Sequence, residues 1–252
     1  MNVLITGATS GIGQATALEF AKQQHTLIIT GRRAERLAET KNKLLQAGAK
    51  SVHTICFDIR ELSQVKNAIQ SIPKEFFPIH VLVNNAGLAS GLSTLQDGDV
   101  NDWEKMIDTN VKGLLYITRE IAPLMVKEGK GHIVNVGSIA GKEVYANGNV
   151  YCATKHAVDA LNKGMRIDLL PYGIKVTAVN PGMVETEFSV VRFHGDEERA
   201  KKVYEGITPL RAEDIAETIV WCVSRPAHVN INELLIMPTM QASASVSIRN
   251  NK

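Results

Sequence analysis

The residues best suited to chemistry lie between Ser138 and Lys155, in the stretch Ser-Ile-Ala-Gly-Lys-Glu-Val-Tyr-Ala-Asn-Gly-Asn-Val-Tyr-Cys-Ala-Thr-Lys. Tyr151 and Lys155 are four apart, so on a helix they share one face, one turn from each other. Ser138 follows the strand-like run from His132 to Gly137 and sits where that strand ends, the edge at which open α/β sheets hold their ligands. A phenol beside an ammonium and a hydroxyl suits proton transfer to or from an oxygen. A free phenol has a pKa of about 10 and is a poor base at neutral pH. An ammonium about 5 Å away, at an effective dielectric of about 20, contributes roughly 3 kcal/mol, or about two pKa units. Lys155 is therefore expected to bring Tyr151 toward neutrality, where an acid/base works best. Cys152 points about 100° away from the tyrosine on a helix and reads as a small buried residue.

These groups need a frame, and the hydrophobic pattern supplies one. Short apolar runs at 2–6, 26–31, 51–57, 79–84, 131–137, 174–180 and 232–237 read as strands. Several are continuously apolar and β-branched, as strands buried on both faces are. Segments 12–24, 34–47, 61–72, 102–127, 150–170 and 212–224 carry apolar residues at helical spacing. Pro123 is expected to bend or interrupt the fourth of them. Strand–helix alternation predicts an α/β fold, a doubly wound parallel sheet of about seven strands with helices on both faces. With no linker and no repeat, 1–252 reads as a single domain. Two stretches depart from the rhythm. Residues 184–208 are long and charged, and insertions of that kind form lids or binding lobes. The tail 239–252 is polar and aperiodic, so disorder is its default reading, with docking on a neighbouring subunit as the alternative.

Composition narrows the classes. The 252 residues are 44% hydrophobic and 21% charged, the balance of a globular chain with a large core. A net charge of +2 offers no argument for nucleic acid or an acidic membrane surface. The three cysteines, Cys56, Cys152 and Cys222, are widely spaced without a metal-ligand pattern, which favours reduced thiols in the cytoplasm. The chain opens on Val3-Leu4-Ile5 without a basic n-region or cleavage site, so no export signal is expected. No apolar run is long enough to span a bilayer.

Gly7, Gly11 and Gly13 lie between the first strand and the first helix. Glycines there allow a tight turn, the approach of a pyrophosphate to the backbone amides, and close packing of helix on strand. The helix N-terminus adds free N–H groups and a positive dipole end. The second strand ends at Thr30-Gly31, where an acid would grip the ribose 2′-hydroxyl of NAD. Arg32 and Arg33 stand there instead, and guanidinium pairs phosphate with two charge-assisted bonds, which favours the 2′-phosphate of NADP. The alternative is a charged pair at a helix start, since Glu35 and Arg36 continue a polar face.

Taken together, Thr6-Gly7-x-x-x-Gly11-x-Gly13, Asn84-Asn85-Ala86-Gly87 and Tyr151-x-x-x-Lys155 resemble the short-chain dehydrogenase/reductase family from the first strand to about Pro238. The resemblance implies a hydride transfer between a nicotinamide and an alcohol or carbonyl. It gives Tyr151 the proton transfer and has Ser138 hold the substrate oxygen. Lys155 would lower the tyrosine pKa, helped by an oxidised nicotinamide, and bond the nicotinamide ribose. Asn110 would hold a water wired to the lysine. It assigns the cofactor to the loop of Gly7, Thr9, Ser10, Gly11, Ile12 and Gly13, and to Asp58 with Ile59 at the adenine. Asn85, Ala86 and Gly87 would line it further, and Pro181, Gly182, Val184 and Thr186 would meet the carboxamide. A narrower similarity, in Phe188 to Asp196 and Pro226 to Asn232, is to NADP-dependent 3-hydroxy acid dehydrogenases, which act on L-allo-threonine, serine and related acids. It implies a small-molecule substrate and a homotetramer. Two rival readings remain: a general carbonyl or 3-oxoacyl reductase with the same four residues, and a non-catalytic NADP-binding regulator or scaffold, since fold does not determine function.

A 3-hydroxy acid brings a carboxylate that must leave water, and an unpaired buried anion is costly. Arg192, set between Val191 and Phe193 in the inserted lobe, is the cation placed to grip it with two parallel bonds. The alternative for Arg192 is a surface pair with Glu187 or Asp196. The lobe's remaining charges, Glu197-Glu198-Arg199 and Lys201-Lys202, cluster as a solvated helix face does.

Overall fold

Seven strands pair in parallel: β1 Asn2–Ile5, β2 Thr26–Gly31, β3 Ser51–Cys56, β4 Val81–Asn84, β5 Gly131–Val136, β6 Ile174–Pro181 and β7 Glu233–Ile236. Their order across the sheet is β3-β2-β1-β4-β5-β6-β7, as expected of a doubly wound α/β fold. The structure, a computed structural model, describes residues 1–250. The helices are α1 Gly11–Lys22, α2 Ala34–Gln46, α3 Leu62–Gln70, α4 Val100–Ile107, α5 Leu114–Glu128, α6 Asn149–Leu169, α7 Phe188–Arg192, α8 Glu197–Lys202 and α9 Ala212–Val223.

Period-two alternation splits the core between the two faces. Val3, Ile5 and Val83 pack with Phe20 of α1, Leu44 of α2 and Ile219 of α9. Leu4, Leu82 and Ile133 point the other way, onto Val65 of α3, Ile117 and Met125 of α5 and Leu169 of α6. Successive residues of β1 are thus fully buried on opposite sides, which explains its unbroken apolar run. The order of winding reverses between β1 and β4, and a crevice opens at their C-terminal ends.

Two expectations need correction. The segment 102–127 is not one helix interrupted at Pro123. α5 runs unbroken through the proline, and the departure lies earlier, in a wide π-helical turn at Asp108–Gly113. Gly113 in that turn lies against Ile59, where a Cβ would come within 2.9 Å of the isoleucine side chain. Turns of this kind inside helices concentrate at functional sites, and this one carries Asn110.

The tail is ordered as far as it is described, and it docks on its own chain. Ile248 N donates to Met240 O, Asn250 N donates to Gly206 O, and the Arg249 guanidinium donates to Val203 O. Gln241 is buried and its Oε1 accepts from Met183 N at 2.8 Å. The backbone groups of the 184–208 lobe give the tail partners that its own sequence does not reveal. Residues 251 and 252 lie outside the described residues. The lobe contains the two short helices α7 and α8, with the charges of α8 exposed as expected. Among the described residues no helix is long and apolar enough to cross a membrane.

Candidate active site

The crevice is a cleft of about 540 Å³ outside β1, β4 and β5. Its floor is the turn from β1 into α1. Gly7 and Gly11 adopt φ +67° and +53°, the left-handed region that glycine enters without cost. Thr6 Oγ1 accepts from the backbone N–H groups of Asn85 and Ala86, and Asn85 Nδ2 donates to Thr6 O and Gly7 O. These bonds tie the turn after β1 to the turn after β4. Gly13 faces inward, where any Cβ would collide with Gly7 O and the Asn85 amide. Thr9, Ser10, Gly11 and Ile12 line the cleft, and Gly13 makes their approach to Asn85 possible. Asn84 belongs to the sheet: its Nδ2 donates to Asn135 Oδ1 and Thr118 Oγ1.

At the end of β2, Arg33 Nη2 donates to Thr9 Oγ1 and Ser10 Oγ, both at 3.0 Å, so its guanidinium is aimed along the rim of the glycine turn. Its Nη1 pairs with Glu187 at 3.1 Å, and Arg36 pairs with the same carboxylate. Arg32 stands half-exposed, 3.9 Å from Asp58. Arg60 grips Asp58 with Nε and Nη2. Burial opposes ionisation of Asp58, but the hydrogen bonds from Arg60 and the charges of Arg60 and Arg32 hold its carboxyl below the usual range. Arg32, Arg33, Asp58 and Ile59 all line the cleft, as do Ala86, Gly87, Pro181, Gly182, Val184 and Thr186. A glycine turn lining the cleft, a helix N-terminus and two arginines at the β2 end fit a phosphorylated dinucleotide.

Ser138, Tyr151 and Lys155 converge at the end of β5 and line the same cleft. All three are buried. Ser138 Oγ accepts from Ala140 N, so its own hydrogen points toward the Tyr151 phenol. Lys155 Nζ donates to Val136 O at 2.9 Å. Asn110 stands behind them: its Nδ2 donates to Leu88 O and Thr154 Oγ1, and its Oδ1 accepts from Leu88 N. A Cβ on Gly87 would lie 3.3 Å from Asn110 Oδ1 and 3.7 Å from Lys155 Nζ, so the two side chains close on one spot. The wide turn at 108–113 delivers Asn110 to that place.

Burial is the largest influence on the electrostatics of the site. Burial pushes the Tyr151 phenol well above a phenol's usual value, and neighbouring Tyr145 adds to the shift. A hydrogen bond with Ser138 and the charge of Arg192 oppose it without prevailing. Burial also pushes Lys155 down to about 8. The folded chain therefore binds fewer protons at Lys155 than the unfolded chain between pH 8 and the ordinary lysine value, and stability attributable to this residue rises with pH across that window. Relative to Lys155→Met, the wild type should gain on the order of 3 kcal/mol between pH 7.5 and 10.5 in denaturant melts. A difference that stays constant with pH would contradict the shift.

The substrate end was only partly legible. Arg192 Nε donates to Gly91 O at 3.2 Å, and its Nη2 donates to Tyr145 Oη at 2.8 Å. Its guanidinium carbon lies 5.4 Å from the ring centre of Tyr145 and 5.6 Å from that of Tyr151. The alternative partners are engaged elsewhere: Glu187 pairs with Arg33 and Arg36, and Asp196 accepts from Arg199 N at the start of α8. Phe188 meets the Tyr151 ring edge-on, with centroids 5.7 Å apart. Sequence reasoning missed Tyr145, six residues before Tyr151, because nothing in its spacing singles it out. It also missed Gln241, which lines the cleft from the tail.

Comparison with known proteins shows the family and the fold. The short chain dehydrogenase family profile matches residues 1–197. The chain is 47% identical over 249 residues to the NADP-dependent 3-hydroxy acid dehydrogenase YdfG of Salmonella typhi, covering 98% of this chain and 99% of that protein. It is 46% identical over 247 residues to sulfoacetaldehyde reductase 2 of Chromohalobacter salexigens, covering 98% and 97%. Among solved structures, the closed form of serine dehydrogenase complexed with NADP+ superposes with a TM-score of 0.93 at 44% identity, covering all of both chains.

Proposed function

Because the chain belongs to the short chain dehydrogenase family, we propose that it is an NADP-dependent oxidoreductase that interconverts a small 3-hydroxy acid, such as L-allo-threonine or serine, and the corresponding carbonyl compound. The observation that carries this reading is the Arg192 guanidinium, held by Gly91 and Tyr145 beside the Tyr151 ring. The three similar proteins are named for small molecules with an alcohol or aldehyde at one end and a carboxylate or sulfonate at the other. An acyl-chain substrate has no use for a cation in that place, which favours the hydroxy acid over the 3-oxoacyl reading.

Bound NADP supplies the hydride exchange. The chain's residues then divide the remaining work. Tyr151 takes the proton of the substrate hydroxyl in oxidation and returns it to the developing alkoxide in reduction. Ser138, whose hydroxyl lies within hydrogen-bonding reach of Tyr151, donates to the same substrate oxygen. Lys155 keeps two donors for the cofactor ribose beyond the one spent on Val136 O. Asn110 completes the set from behind, holding the water that continues the lysine's hydrogen bonding. Arg33 and Arg32 meet the 2′-phosphate, and Arg192 with the Tyr145 hydroxyl meets the substrate carboxylate. Residues 1–252 act as one unit, with 184–208 as the substrate lobe. Work in the cytoplasm fits the three free cysteines, and a homotetramer fits the apolar Ile107, Leu115 and Ile167 left exposed on α4, α5 and α6, with exposed Leu170 just past the end of α6.

The test is Arg192→Leu. Its kcat/KM for a 3-hydroxy acid should fall by about a hundredfold or more, the scale of a lost charge-assisted bidentate bond. That for a plain secondary alcohol should change little. Equal losses for charged and neutral substrates would reduce Arg192 to a packing residue.

A further inference from the structure

A second cluster, which takes no part in the proton transfer, lies beside the Arg192 segment. Asp102 of α4 is buried, and its Oδ1 accepts from Ser90 Oγ at 2.6 Å and from His194 Nε2 at 3.0 Å. Lys105 Nζ lies 3.5 Å from the same oxygen. His194 follows Arg192 by two residues, and its φ of +55° is left-handed, a conformation that a side-chain-bearing residue keeps only where its surroundings enforce it. Its ring nitrogen also reaches Ser90 Oγ at 3.3 Å.

Gly91 closes the circuit. Its N–H donates to Arg192 O at 2.9 Å, while its carbonyl accepts from Arg192 Nε. At φ +69° it lies so close to Asp102 that a Cβ would sit 2.7 Å from Oδ2. Three segments far apart in sequence, at 90–91, 102 and 192–194, therefore meet around one buried carboxylate. The arginine between them is held at both its backbone and its side chain.

We propose that Ser90, Asp102 and His194 form a positioning latch that holds the Arg192 guanidinium in place, and so determines how strongly the enzyme prefers substrates carrying a carboxylate over neutral alcohols. The inference rests on Arg192 as the carboxylate's partner. Asp102 and His194 touch neither substrate nor reacting atoms; they act through Arg192. A long, flexible side chain gives tight, selective binding only when its geometry is held before the ligand arrives.

The experiment compares wild type, His194→Ala, His194→Gln, Asp102→Asn and Arg192→Leu on a 3-hydroxy acid and a plain secondary alcohol, with NADP affinity measured by titration. For His194→Ala, KM for the acid should rise about tenfold, while kcat changes less than about threefold. Its kcat/KM for the alcohol and its NADP affinity should stay within about twofold. His194→Gln keeps a donor within reach of Asp102 and should recover part of the loss, which a simple loosening of the fold would not allow. Asp102→Asn should move the same way, with thermal melts reporting whether it folds. Half-exposed His194 carries the test if it does not. An unchanged acid KM in His194→Ala, or equal losses on acid and alcohol, overturns the latch. Arg192→Leu separates the two levels. If it too fails to discriminate, the carboxylate reading falls and the latch with it; if it discriminates and His194→Ala does not, only the latch falls.

Discussion

Tyr151→Phe should lower turnover by at least about 10²–10⁴-fold, the usual contribution of a positioned acid/base. The substitution keeps the ring, its edge-on contact with Phe188 and its place beside Arg192, and removes the hydroxyl with its transferable proton. NADP binding should survive, because the glycine turn and the β2 arginines lie elsewhere in the cleft. Lys155→Ala should weaken turnover and cofactor binding together. The buried phenol adds a pH signature. Desolvation holds it protonated at neutral pH, so reduction starts from the form that donates and oxidation must first lose that proton. Oxidation of the hydroxy acid should therefore speed up as pH rises through the alkaline range, while carbonyl reduction slows. Steady-state kinetics in both directions across pH check this. Retention of most activity by Tyr151→Phe would refute the proton-transfer role.

Replacing Arg32 and Arg33 together with Ala should reduce the preference for NADP over NAD by about a hundredfold or more, since each guanidinium contributes charge-assisted bonds of roughly 1.5–3 kcal/mol. The two should not count equally. Arg33 is oriented by Thr9 and Ser10, whereas Arg32 has only a distant Asp58, itself occupied by Arg60. Arg33→Ala alone should account for most of the loss. Both are half-exposed, so the effect should shrink as salt is raised. NAD kinetics should change little, because that cofactor lacks the phosphate. A wild-type enzyme that used NAD better than NADP would sink the assignment.

Much of the frame was written in local pattern. Short unbroken apolar runs and 3.6-residue periodicity depend on neighbours within a turn or a strand, so the strands and most helices could be placed from spacing alone. The glycine turn was legible for the same reason: a left-handed φ is a property of single residues, and only glycine meets it freely. Tyr151 and Lys155 share a helix, so their juxtaposition also needed no tertiary knowledge.

What spacing could not reach depends on partners distant in the chain. The break near Asn110 comes from packing on Ile59 and from bonds to Leu88 and Thr154, not from the nearby proline that local rules single out. The tail is ordered because backbone groups of the lobe happen to face it. The pairing of Arg192 with Tyr145 spans 47 residues, and its bond to Gly91 spans 101, so sequence could nominate the arginine without saying what holds it. The phenol's shift belongs here too. Sequence puts an ammonium near it, but only the folded site decides how much water remains, and desolvation there outweighs the neighbouring charges.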